Sequence, residues 1–406
     1  MGTNNIRVLQ LSPQFPFPPD DGGKIGISSI LKCFAVKGFD VDFVSYASDK
    51  IHPTDIKEAE KYAKIFFIEH STKNTPEKIF ASLFHGTSLY IRKHINSDVQ
   101  RQLKKIIGNN HYDFIHADHS AMCLLGLYAK SLTSAPLGLR LHNIEHKIWE
   151  RYADSLPKNN PKSWYIRHQA NLLRNDEKYL LPQADICFPI TEVDKRDAIQ
   201  IAPSGNYVTA SAGVYPDKWQ IDPSIKRNPH EIVIATVYSW VHNVDGVLWF
   251  IENVFPRLKE VYPDVTLTLI GKNPPSDLQK YSDRGVNIIG YVPKVQPYLN
   301  KAALYIAPLF VGSGIRIKIL EAMAIGLPVI ATSIASEGIN GNDENGLFIR
   351  NGVDQWTDTI VSLLKEPENT EYLREKAQSF IRENYSWNKN IDIMINEYIK
   401  LISKQI

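Results

Sequence analysis

Residues Gly312 to Ala324 read Gly-Ser-Gly-Ile-Arg-Ile-Lys-Ile-Leu-Glu-Ala-Met-Ala. The flexible Gly312-Ser313-Gly314 turn lets backbone approach a ligand closely, and a helix opening at about Ile315 offers unpaired N–H groups at the positive end of its dipole. Such a turn suits an anion, a diphosphate for example. Arg316 adds a forked, permanently charged contact to phosphate oxygens. Lys318 and Glu321 are three apart and share one helical face, the cation nearer the anion and the carboxylate a turn further on. A carboxylate there can accept from both hydroxyls of a ribose without a metal. The plainer alternative is an intrahelical Lys–Glu pair beside a simple turn.

Three further groups stand where predicted strands end. Gly22 and Gly23, followed by Lys24, lie between a first strand, Arg7 to Leu11, and a helix, where a missing side chain exposes backbone N–H groups. His142 and Asn143 close the strand Leu137 to Leu141, and open α/β sheets bind ligands beyond the carboxyl ends of their strands. His116 and His119, with Asp118 between them, close another strand in the same fashion and are candidates for an acceptor pocket. A metal held by these three is not expected, because nothing else in the chain asks for one. The carboxylate pair Asp40 and Asp42 lies at the entry of its strand, away from the ligand edge, and is rejected as a metal site. All 12 histidines fall at or before His242, so acid, base or hydrogen-bond chemistry from histidine must come mainly from the first half.

The chain that must position these groups has 406 residues, 43% hydrophobic and 22% charged, enough for two cores. Its formal charge of +2 argues against a nucleic-acid wrapper, and no nucleic-acid partner is expected. Cys33, Cys123 and Cys187 sit singly in apolar runs and read as reduced core residues of a cytosolic protein. Neither a signal segment nor a spanning helix is evident, so the expected location is cytoplasmic. The modest cationic excess of the first half permits peripheral docking to anionic lipid at the inner face of a membrane.

Short apolar runs alternate with helix-length segments nearly end to end, the pattern of an α/β protein with parallel sheets. Strands are expected at Arg7–Leu11, Val41–Ser45, Lys64–Ile68, Phe114–Ala117, Leu137–Leu141, Ile186–Ile190 and Tyr207–Ala210. A polar, proline-bearing stretch ends near His230, and the rhythm restarts with strands at Ile232–Val237, Val265–Ile270, Val286–Ile289, Leu304–Ala307, Pro328–Ala331 and Leu347–Ile349. Val244, Val247, Leu248, Ile251, Val254, Phe255 and Leu258 form one apolar helical face. The expected domains are 1–215, 216–375 and a pair of carboxy-terminal helices, 376–406, crossing back to the first domain.

Gly312 to Ala324, Gly326-Leu327-Pro328, Glu337-Gly338 and the Ser239-Trp240-Val241-His242 turn together resemble family 4 glycosyltransferases of the GT-B fold. Pro18-Pro19-Asp20-Asp21-Gly22-Gly23 and Leu141-His142-Asn143-Ile144-Glu145 extend that resemblance into the first half. It implies two Rossmann-like domains with parallel sheets facing across a cleft, and retaining transfer of a sugar from a UDP- or GDP-type nucleotide diphosphate sugar without a metal or other cofactor. The acceptor would be a glycan or lipid-linked saccharide of a bacterial surface polysaccharide pathway. By position, Glu321 matches the second glutamate of the family's E-x7-E motif, which holds the ribose, while Ser313 replaces the first. Gly22, Gly23, Ser239, Gly312, Ser313 and Gly314 then belong to the donor site. Arg316 and Lys318 carry the charge for the leaving diphosphate, His142 sits near the reacting sugar, and Asn143, His116 and His119 face the acceptor. Two other readings stay open: an epimerase of the same fold and, because the first glutamate is missing, a noncatalytic nucleotide-sugar-binding subunit.

Overall fold

The computed structural model describes residues 6–157, 159–239, 241–312 and 314–404. Two compact units divide the chain: residues up to Ser211 together with those from Asn390 onward, and Ala212–Lys389. The expected boundary at 215 thus falls four residues later than the observed one. The expected tail is itself divided, with residues up to Lys389 in the second unit. The reason is packing: Ala377, Ile381 and Tyr385 are buried in one core of the second unit.

The first unit is built on a six-stranded sheet of β1 (Arg7–Leu11), β2 (Asp40–Tyr46), β3 (Lys64–Ile68), β4 (Phe114–Asp118), β5 (Leu137–Leu141) and β6 (Ile186–Pro189). The order is β3-β2-β1-β4-β5-β6 and every pairing is parallel. Helices cover both faces of such a sheet, so its central strands are apolar nearly throughout. All five residues of β4 and of β5 are buried. The helices that matter for the site are α1 (Gly22–Val36), α2 (Glu145–Ser155) and α3 (Pro161–Leu180). Tyr207–Ala210 runs beside β6, with Val208 N donating to Cys187 O and Ala210 N to Pro189 O. Only a single bridge, Cys187 to Tyr207, forms there, so the expected seventh strand is an edge segment.

The second unit repeats the topology with β7 (Glu231–Ala235), β8 (Thr266–Ile270), β9 (Val286–Gly290), β10 (Leu304–Ala307), β11 (Val329–Ala331) and β12 (Leu347–Ile349). Its order is β12-β11-β10-β7-β8-β9, again with parallel pairings. Helix α4 (Val241–Trp249) continues into a π-type stretch, Phe250–Val254, before a further helix, Phe255–Val261. Pro256 explains the interruption, since its ring excludes the carbonyl four residues back and the ladder shifts to Phe255 N donating to Phe250 O. The apolar face survives, with Val247, Phe250, Ile251, Val254, Phe255 and Leu258 all buried. The remaining helices needed below are α5 (Ile317–Ala324), α6 (Pro367–Asn384) and α7 (Trp387–Ser403).

Tyr398 of α7 belongs to the first unit. Its ring stacks on Phe114 with centroids 3.9 Å apart and its hydroxyl meets His116 Nδ1 at 2.8 Å. Gly138 makes room for it, because a Cβ there would stand 2.0 Å from that hydroxyl.

Candidate functional site

In each sheet the strand order reverses direction at one place, between β1 and β4 and between β7 and β10. Chains leaving the carboxyl ends of those two strands diverge and open a crevice for a ligand. The connections after β4 and β5 carry His119, His142 and Asn143, Gly22 and Gly23 open α1 after β1, and the connections after β7 and β10 carry Ser239, Gly312, Gly314 and Arg316. Topology therefore collects each unit's candidates at one sheet edge. Ser313 and Trp240 lie outside the described residues.

In the second unit, α4 and the segment after β10 approach so closely that a Cβ on Gly246 would fall 1.7 Å from Pro308 O. That contact sets the path of the chain into the Gly312 turn. Gly312 and Gly314 have φ of 143° and 77°, backbone that favours glycine. Gly312 also lies beneath the Arg316 guanidinium, since a Cβ would sit 2.1 Å from one of its nitrogens. Arg316 holds the cap position of α5, and among the described residues no side chain caps the helix; Ile319 N donates back to Arg316 O at 2.9 Å, and the N–H groups of Ile317 and Lys318 at the start of the turn are the ones suited to an external acceptor. The helix starts at Ile317, two residues after the expected opening. Lys318 Nζ donates to Glu321 Oε2 at 2.8 Å, with the lysine 45% exposed and the glutamate 9%. Burial raises the Glu321 pKa, and Lys318 works against that rise. Ser239 is exposed in the turn after β7.

In the first unit the start of α1 is different. Asp21 caps it, accepting from Lys24 N at 2.9 Å, and Lys24 Nζ is engaged by Asp20 at 2.9 Å. A carboxylate already occupies the positive end of this helix, so the open backbone at Gly22, which nothing crowds within 4 Å, is better matched to a hydroxyl than to a phosphate.

Behind that loop lies a polar cluster. Asp118 is fully buried; it accepts from Gln10 Nε2 at 2.8 Å and lies 3.4 Å from His116 Nε2. Burial opposes its charge, but neighbouring groups, His116 foremost, hold its pKa well below the usual carboxylate range. Arg140, 1% exposed, donates to His142 Nε2 at 2.8 Å. The His142 ring stacks on His119 with centroids 3.6 Å apart. Burial, reinforced by the Arg140 cation, lowers the His142 pKa to about 4, and burial with the neighbouring His142 keeps His119 well below its ordinary value. Both rings are neutral at physiological pH.

Not every expected residue reaches the edge. His116 has no exposed surface; its ring is held between Phe34, Tyr398 and Asp118. The expectation that it contacts an acceptor is therefore corrected: it braces Asp118 from inside the core. Side chains alternate along a strand, so His116 and Asp118 share a face, and α7 closes over it. His119 and Asn143 are partly exposed at the edge itself.

Sequence reasoning passed over Arg140, which lies in an apolar strand run. Asp176 and Glu177 in α3, which the helix pattern alone reads as solvated, are buried, and Glu177 caps α2. The Glu177 carboxylate accepts from Glu145 N at 2.8 Å and His146 N at 3.3 Å, and meets His146 Nδ1 at 2.5 Å. Glu145 beside it is raised to about 7 by burial and by the Glu177 charge. Asp42, of the rejected pair, binds Arg7 at 2.9 Å and Tyr112 at 2.5 Å. Among the described residues no group of three or more His, Cys, Asp or Glu is arranged to hold a metal, and no helix is long and apolar enough to cross a membrane.

Residues 231–366 match the family model described as Glycosyl transferases group 1. The chain is 23% identical over 402 residues to an uncharacterized 44.6 kDa protein in the cps region of Klebsiella pneumoniae, covering 96% of this chain and 99% of that one. A glycosyltransferase from Rickettsia africae superposes with a TM-score of 0.71 at 15% identity, covering 99% of this chain and 100% of the other. The HepE protein of Anabaena in complex with UDP-glucose gives 0.64 at 12% identity, with 97% and 100% covered. The fold is that of GT-B glycosyltransferases.

Proposed function

We propose that the protein transfers a sugar from a nucleotide diphosphate sugar to a saccharide or lipid-linked acceptor, with retention at the anomeric carbon. The observation that carries this reading is the start of α5, a helix end that no described side chain caps, with Arg316 at the cap position and Glu321 further along, inside the segment that matches the glycosyl transferases group 1 model. Its N–H groups, Arg316 and Lys318 bind the diphosphate and Glu321 the ribose. As the bond from the anomeric carbon to the phosphate oxygen breaks, the departing diphosphate gains charge, which fixed donors and cations stabilise. Lys318 changes partner from Glu321 to phosphate at little cost, being nearly half exposed.

In the first unit His142 is the residue that contacts the transferred sugar, with His119 and Asn143 toward the acceptor and the Gly22-Gly23 backbone offered to a hydroxyl. The transfer needs no metal or cofactor. Likeness to a cps-region protein supports a place in surface polysaccharide synthesis, and docking at the cytoplasmic membrane face is compatible with a lipid-linked acceptor. Thermal-shift screening of nucleotide sugars should single out one donor. Incubation of that donor with candidate acceptors should then yield a glycoside, whereas His142→Ala should bind nucleotide normally and turn over slowly. Interconversion of the sugar without any acceptor, or tight binding without transfer or hydrolysis across an acceptor panel, would refute the reading.

A further inference from the structure

We infer that Arg140 is a positioning residue: it fixes His142 as the neutral tautomer protonated on Nδ1, leaving that N–H as a donor for a ligand oxygen. A guanidinium donates hydrogen bonds and accepts none, so the ring nitrogen it meets at 2.8 Å, Nε2 of His142, must carry a lone pair. The proton of the neutral ring is then on Nδ1.

A carboxylate is the more familiar partner of a histidine, and Asp118 is close. Its Oδ1 lies 3.9 Å from His142 Nε2, beyond hydrogen-bond reach. Asp118 instead faces Arg140 across paired strands and balances its charge. The pair is thereby compensated within the core, and His142 stays uncharged. The other groups around the ring agree. His119 stacks on it, His116 is engaged by Tyr398 and Asp118, and α1 brings the uncharged Gly26 beside it.

Gly26 shows that room has been kept for the guanidinium. A Cβ there would stand 2.8 Å from an Arg140 nitrogen and 3.5 Å from His142 Cε1, so α1 can lie over the pair only without a side chain at that position. His142 Nδ1 has no partner among the described residues, although the side chain is only 9% exposed. An N–H at the sheet edge with no partner within the fold is left to donate to a ligand oxygen. That oxygen is a sugar hydroxyl or phosphate oxygen if the glycosyltransferase reading holds; the tautomer itself does not depend on that reading.

The test is a two-bond 1H–15N correlation spectrum of the histidine rings between pH 5.5 and 8, with His142 assigned by its loss in His142→Gln. The wild-type ring should show a protonated Nδ1 and an unprotonated Nε2 and should not titrate. In Arg140→Gln the Nε2–H form that a free imidazole favours should return, and the ring should titrate within this range, because the cation is gone and Asp118 remains. A wild-type ring protonated on Nε2, or titrating near its ordinary value, overturns the proposal, and this arm stands even where the variant folds poorly. With a donor identified, Arg140→Gln should lower kcat about tenfold with KM for the donor nearly unchanged, and adding it to His142→Ala should cause no further loss. Independent, multiplying losses would mean that Arg140 does not act through His142.

Discussion

Replacing Glu321 by glutamine removes a charge while keeping nearly the same shape, and the structure separates its two consequences. The carboxylate is 9% exposed and its one ion-pair partner, Lys318, is 45% exposed, so the pair adds at most about 1 kcal/mol to stability. The glutamine oxygen can still accept from Lys318, and the melting temperature should barely move. Nucleotide binding is another matter. A carboxylate accepting from ribose hydroxyls makes charge-assisted hydrogen bonds worth about 1.5–3 kcal/mol, so Glu321→Gln should weaken UDP or GDP binding about tenfold to a hundredfold. Titration calorimetry reads this directly. The matching 2′,3′-dideoxynucleotide supplies the control, since wild type and variant should bind it equally. Equal affinity for the natural diphosphate, or an undiminished loss with the dideoxy compound, would refute the assignment of Glu321 to the ribose.

Arg316→Ala should weaken nucleoside diphosphate far more than nucleoside, and should flatten the salt dependence of affinity measured by calorimetry at several ionic strengths. Gly246→Ala places a methyl 1.7 Å from Pro308 O and should cost more than about 2 kcal/mol in denaturant unfolding. Glu145 is raised from 4.5 to about 7, so between these values the folded chain holds a proton that the unfolded chain has released. Its contribution to stability is present below pH 4.5 and lost as pH rises through 7. Glu145→Gln, neutral throughout, should therefore gain on wild type above pH 7, by an amount on the order of a few kcal/mol, in unfolding curves compared at pH 5 and 8. His142 acts oppositely: with its pKa lowered to about 4, its contribution is lost as pH falls from about 6.5 to 4, and His142→Gln should remove that loss.

Much of the fold was legible because parallel strands buried on both faces leave apolar runs with turn residues between them. Leu137–Leu141, Lys64–Ile68 and Leu304–Ala307 were read to the residue. The Lys318–Glu321 spacing likewise placed both side chains on one face of α5 before any coordinates. Arg140 escaped notice because a single polar residue within Leu-Gly-Leu-Arg-Leu does not break a strand pattern. Only its partner across the sheet, Asp118, and the glycine over it in α1 explain how a cation can lie there. His116 was misjudged for a related reason, since its burial depends on Tyr398, 282 residues away in sequence.

The amino-acid sequence alone determined the alternation of strands and helices and the glycine-rich entry to α5 with its cation–carboxylate spacing, all of which follow from local backbone preference and periodicity. Tertiary structure decided how the two helix starts differ, because Asp21 fills the start of α1 while no described side chain caps α5. It also decided which histidine reaches the sheet edge and which ring nitrogen of His142 faces a guanidinium. Burial, tautomer and pKa depend on distances between strands and helices far apart in the chain, and such distances exist only after the sheets have closed.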